Sequence, residues 1–119
     1  MTMSSELLEK YNYESNKYAP MPGTEDWVLV AELGDGGGYD WTDFNVFYSP
    51  SARRYFWHGD SGCSCNSWSD DLSTAADFEN GDRVALGRAW EAFAKDSYAF
   101  DVTEYLSGAS TIRDFKETA

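Results

Sequence analysis

At 119 residues and 13.4 kDa the chain is the size of one domain, because two domains of half that length would each bury too little surface to fold. Hydrophobic residues at 42% and charged residues at 25% exclude a disordered composition. Twenty-one acids against nine Lys plus Arg give a net charge of −12, which excludes a direct nucleic-acid binder that relies on clustered cations at phosphates.

The N-terminus, MTMSSELLEKYNYESNKY, has no basic start and no apolar run, so it does not read as a secretory signal. Residues 4–10 are expected as a short helix capped by Ser4 or Ser5, with Leu7 and Leu8 as its apolar anchors. Tyr11, Tyr13 and Tyr18 then mix with Pro20, Pro22 and Gly23, so residues 1–26 are expected as a partly ordered arm of a single domain spanning 1–119. Trp27–Leu33 is apolar and partly β-branched and runs into a glycine-rich turn, the pattern of a strand. Its Trp27–Ala31 run is the longest apolar stretch, far short of the ~20 residues of a membrane helix, so no membrane partner is expected. The Asp35–Asp43 turn does not have the ligand order of a calcium loop and is expected as an interstrand connection.

Asp43–Ser49 and Arg54–His58 are aromatic-rich runs joined by about five polar residues with a proline, which predicts a hairpin. With Trp27–Leu33 they make an antiparallel meander of about three strands. His58–Asp71 is small, polar and glycine-containing and is expected as a loop. Ser69 is expected to cap a helix over Asp70–Glu79, stopped by Asn80–Gly81. Asp82 caps the next helix, Arg83–Lys95, in which Leu86, Trp90 and Phe93 fall on one face. A short helix from Asp101 to about Gly108 and a last segment over Ser110–Thr118 complete the chain. The fold class is therefore α+β: a small antiparallel sheet followed by helices packed on one face.

Cys63 and Cys65 lie one residue apart. A bridge between them would close a tight ring, which predicts free thiols in a reducing compartment. His58, Asp60, Cys63 and Cys65 fall within eight positions, and all four are zinc-ligand types. Known structural sites place at least two residues between their cysteines, so a tight turn without a cofactor is the preferred reading and a small-ligand or zinc module the alternative. The sole His sits too close to Cys63 or Ser61 to build a nucleophilic dyad, so no enzyme is expected.

The acidity is concentrated. Tyr18–Asp82 holds twelve acids and two bases, a local charge of −10. Twenty aromatic side chains exceed what one small core can hold, so several are expected at the surface. An interaction surface is expected from Tyr39, Trp41 and Trp68 with Asp70, Asp71, Asp77 and Glu79, facing a basic protein partner.

Tyr48–Trp68 reads YSPSARRYFWHGDSGCSCNSW, an aromatic hairpin that runs straight into a Gly62-Cys63-Ser64-Cys65 loop. This segment, with Gly38–Trp41 upstream and the Asp-Leu stretch downstream, resembles a family of small uncharacterised proteins of phages that infect actinobacteria. The likeness spans roughly residues 27–95. It implies a setting, the inside of a bacterial host, and a role as an accessory protein; the acidic, aromatic surface adds the expectation that it acts by binding a host protein in the cytoplasm. Mimicry of nucleic acid by the acidic surface is one form of that role.

Overall fold

The computed structural model describes residues 7–34, 39–96 and 102–117. It is an α+β protein with a two-stranded sheet, a four-stranded sheet and two helices. The strands are β1 (Glu9–Asn12), β2 (Lys17–Pro20), β3 (Val28–Gly34), β4 (Asp40–Ser49), β5 (Arg54–Cys63) and β6 (Glu79–Gly81). The helices are α1 (Arg83–Asp96) and α2 (Val102–Asp114). Among the described residues no helix is long and apolar enough to cross a membrane.

The larger sheet has the order β3-β4-β5-β6 with every pair antiparallel. Its β3–β4–β5 meander matches the expected order. Six strands replace the expected three because the N-terminal segment adds β1 and β2 and the end of the expected Asp70–Glu79 helix adds β6; with a longer β5, three segments differ from their local signals. First, Glu9–Pro20 forms a hairpin where an arm was expected. Asn12 Oδ1 accepts from the N–H groups of Glu14 and Ser15 at 2.8 and 3.3 Å, and Asn16 takes a left-handed φ of 55°. This is asparagine turn chemistry, and Pro20 is tolerated because it ends an edge strand. Glu9 and Lys10 accordingly belong to β1 and not to a helix; residues 4–6 of the expected helix lie outside the described residues.

Second, β5 continues through His58–Cys63, where a loop was expected. Its glycines are not turn formers. A Cβ on Gly59 would lie 2.6 Å from the Phe93 ring and 2.7 Å from Phe44, and one on Gly62 would strike Asn66 and Trp41. They are glycines because the Phe44, Phe93 and Trp41 rings and the Asn66 amide occupy the space.

Third, Asp70–Glu79 is not a helix. It runs through turns and a single 3-10 turn at Ala75–Asp77 into β6, which pairs with β5 from Tyr55↔Gly81 to Trp57↔Glu79. Asp70 accepts from Ser67 N–H and Asp77 from the N–H groups of Ser73 and Thr74, side-chain-to-backbone bonds that compete with helix formation. In the C-terminal part, Gly108 does not end a helix. One helix, α2, covers most of the two expected segments, and Asp101 and residues 118–119 lie outside the described residues.

Alternation along β4 feeds two cores. Phe44, Val46 and Tyr48 meet Leu33, Tyr55 and Trp57 together with Leu86, Trp90 and Ile112 of the helices. Trp41 and Phe47 face the other way, into a cluster of Leu8, Met21, Trp27, Trp68, Leu72 and Phe78. The second cluster draws on the N-terminal segment and the β5–β6 connection, so those non-helical stretches are fixed by burial. Asp82 caps α1 as expected, its Oδ1 accepting from Ala85 N–H at 2.9 Å. Arg83 closes the C-terminal end of α2, donating to the carbonyls of Ile112 at 3.0 Å and Phe115 at 2.8 Å. A cation at this end offsets the helix dipole.

Candidate interaction surface

Trp41 and Trp68 are not at the surface. They are only 5% and 6% exposed. Trp41 Nε1–H donates to the carbonyls of Cys63 and Asn66 at 2.8 and 3.1 Å. Trp68 Nε1–H donates to His58 O at 2.9 Å, and its ring packs against Phe47, His58 and Phe78. Each indole is buried with its one donor satisfied, which is a core arrangement. The signal for Trp41 was its place two-by-two with Phe47 on β4; nothing local marked Trp68.

Exposure falls on other aromatics. Tyr39, just before β4, is 86% exposed. On the β1–β2 hairpin, Tyr13 is 85% and Tyr18 67% exposed, with Tyr11 less so. Tyr11 packs edge-to-face on both, with ring centroids 4.9 and 5.2 Å apart, and its hydroxyl donates to Asn16 Oδ1 at 3.1 Å. The hairpin thus holds three tyrosines in a fixed, outward group. Tyr48 and Tyr55, by contrast, are in the core.

The four acids expected on a helix are all exposed but do unequal work. Asp70 accepts from Ser67 Oγ at 2.7 Å and Ser67 N–H at 2.9 Å. Asp77 accepts from the N–H groups of Ser73 and Thr74 at 2.7 and 3.0 Å, completing a capping box with Thr74. The Ser67 hydroxyl and amide bonds hold the Asp70 carboxyl below the usual carboxylate range, and the Thr74 and Ser73 amides do the same for Asp77. Glu79 accepts from Trp57 Nε1–H at 3.0 Å. These three carboxylates hold local structure while keeping their charge in solvent. Leu8, just before β1, packs in one cluster with Leu72, and Ala75 N–H donates to Pro22 O at 2.9 Å, which brings the base of the hairpin against this stretch of chain.

The proposed ligand group on β5 does not converge. His58 and Asp60 share one face of the strand, Nε2 to Oδ2 at 3.7 Å, and Cys63 by alternation points to the other. The His58 ring packs against Trp68 and Phe78, and its buried Nε2 has no hydrogen-bond partner. Cys63 and Cys65 are joined in a disulfide, which corrects the expectation of free thiols. Asn66 N–H donates back to Cys63 O at 3.2 Å, and this turn brings the two Cα atoms to 5.3 Å, within bridging range despite the short spacing. Among the described residues no group of three or more His, Cys, Asp or Glu is placed to hold a metal ion, so the zinc alternative has no ligand set.

A family profile described as "Domain of unknown function (DUF7574)" matches residues 22–117, and the chain belongs to that family. The match takes in the four-stranded sheet and both helices and begins after the tyrosine hairpin. Neither the curated proteins nor the solved structures contain a match.

Proposed function

We propose that this member of the family is a non-enzymatic phage accessory protein that acts in the host cytoplasm by binding a basic host protein. The contact surface in this reading is the tyrosine hairpin with the acidic stretch beside it. The observation that carries it is the outward group of Tyr11, Tyr13 and Tyr18: two of the three rings are more exposed than packed, yet all three are fixed to one another. Pre-ordered tyrosines give large contact area with little rotamer entropy to lose. The neighbouring acids supply steering toward a cationic partner and specificity against anionic ones. Tyr39 is a separate exposed contact at the start of β4.

Affinity capture from an actinobacterial lysate tests this reading when the wild type is compared with Tyr11→Ser/Tyr13→Ser/Tyr18→Ser. The expected result is a captured protein that is lost with the triple variant and weakened at high salt. Identical captured sets from both baits, at both salt concentrations, would refute it.

A further inference from the structure

β3 is an edge strand. Among the described residues it pairs with β4 on one side and with no strand on the other. One bond fixes which way its outer groups point. Gly34 N–H donates to Glu104 Oε1 of α2 at 3.3 Å, so it faces away from β4. Strand alternation turns the N–H and C=O of Glu32, two residues earlier, to the same outer side.

A groove runs along this edge between β3 and α2. It consists of two adjoining hollows of about 380 and 410 Å³, and Glu32 and Glu104 border both. Val30 and Leu33 give it apolar wall, Asp43 adds a third carboxylate, and no Lys or Arg is among the described residues lining it. Glu32 and Asp43 lie on the sheet face that carries Phe47, whereas Glu104 reaches the edge from α2. A strand added here would therefore meet a carboxylate on each side.

We propose that this edge receives an extended, lysine- or arginine-bearing segment of a partner protein, which adds to β3 as a further strand. Main-chain bonds to the outer groups of Glu32 supply the affinity, and a basic side chain pairs with the exposed Glu32 within the negative field of Asp43 and Glu104. The bulge between Leu29 and Ala31 bounds the edge at one end and the Glu104 bond to Gly34 N–H at the other, so pairing is left over Ala31–Leu33, roughly 10 Å of chain. Charge selects the occupant. A second copy pairing edge to edge would bring three carboxylates against their own equivalents, which is how natural edges avoid self-association. A basic segment removes that repulsion. This site is distinct from the tyrosine hairpin and does not depend on it.

The test uses the full chain, labelled with nitrogen-15, and capped peptides of about eight residues. One alternates lysine and valine, one alternates glutamate and valine, and one is the lysine peptide with alternate backbone amides N-methylated. The lysine peptide is expected to bind about tenfold or more tighter than the other two. Its amide shifts should concentrate at Ala31–Gly34 and Thr103–Ser107, with slowed exchange at the Glu32 amide. Glu32→Lys should weaken it by a similar factor, and Ser107→Lys, on the exposed α2 side of the groove, should do so by a separate route. Equal binding of the N-methylated peptide, or shifts confined to Asp70–Glu79 or the hairpin, would overturn the proposal as charge attraction without strand addition. Self-association abolished by Glu32→Lys would overturn it in favour of a second copy. Loss of lysate capture by the tyrosine variant with no peptide shift at β3 would refute this proposal and leave the hairpin reading standing.

Discussion

The indole of Trp90 lies directly on Gly108. A Cβ built on that glycine would stand 2.0 Å from Trp90 Cζ2 and 2.5 Å from Cη2, and Trp90 Nε1–H donates to the carbonyl of Tyr105 one turn earlier at 3.2 Å. The two helices meet through this contact: a large ring on α1 takes the place of a side chain on α2. Trp90 is fully buried and also meets Phe44 edge-to-face on the sheet, so the ring has no room to retreat.

Gly108→Ala is therefore expected to destabilise the fold by about 1–3 kcal/mol, even though alanine is the better helix former. Trp90→Ala is expected to cost about 3–5 kcal/mol. Gly87 in α1 is the control. A Cβ there meets nothing within 4 Å, so Gly87→Ala should stabilise by about 0.5–1 kcal/mol. Urea melts of the three variants check the ordering, and a Gly108→Ala protein as stable as Gly87→Ala would refute the helix contact.

The disulfide makes a second, independent expectation. Protein purified without reductant should have a mass about 2 Da below that of the dithiol. Because Trp41 Nε1–H bonds to Cys63 O and Asn66 O, reduction should alter tryptophan fluorescence through Trp41. Cys63→Ser/Cys65→Ser should cost only about 1–2 kcal/mol, since the bridge closes a very short loop. A full-mass dithiol after aerobic purification would remove the bridge.

Acid sensitivity follows from Glu117. Its carboxylate accepts from Arg83 at 2.8 Å and from the Tyr55 hydroxyl at 2.9 Å, and these bonds hold its pKa below the ordinary 4.5. A carboxyl with a lowered folded value contributes stability above its unfolded value and loses it as pH falls toward the folded one. Asp70 and Asp77 act in the same direction. Stability should thus be flat near neutrality and decline as pH drops below about 4.5. Glu117→Gln should lower stability at pH 7 and make that decline shallower. Parallel pH profiles for wild type and variant would count against the assignment.

The meander and α1 were legible because their patterns are local: aromatic alternation over Asp43–Ser49 and a single apolar stripe through Leu86 and Trp90. The candidate surface was less legible, for three physical reasons. Gly59 and Gly62 suggest a loop by composition, but their small size answers to Phe44, Phe93 and Trp41, which come from other elements. Asp70 and Asp77 look alike as helix-capping acids or as turn-fixing acids, and only the partner amides decide. Trp68 sits in a polar stretch with no periodicity, and its burial is set by Phe47 and Phe78 across the sheet and the later chain. Tyr13 and Tyr18 are exposed, and the cross-strand pairing of Tyr11 with Tyr18 depends on the turn chemistry of Asn12 and Asn16, which no periodicity announces.

That division of labour among the acids changes which substitutions can probe binding. Asp70→Asn and Asp77→Asn remove carboxylates that organise the turns before β6, so both should lower the melting temperature. Asp71 and Glu14 are exposed, the first in the acidic stretch and the second in the hairpin turn. Asp71→Asn with Glu14→Gln should leave the melt unchanged and slow association with a captured basic partner, most at low salt, because exposed charges are screened beyond about 8 Å at physiological ionic strength. Tyr13→Ser with Tyr18→Ser should act on the other rate and speed dissociation, since contact anchors set residence time. Surface-binding kinetics at two salt concentrations separate the two effects. An association rate that ignores both salt and the Asp71/Glu14 pair would leave the negative charge as a solubility device and remove it from recognition.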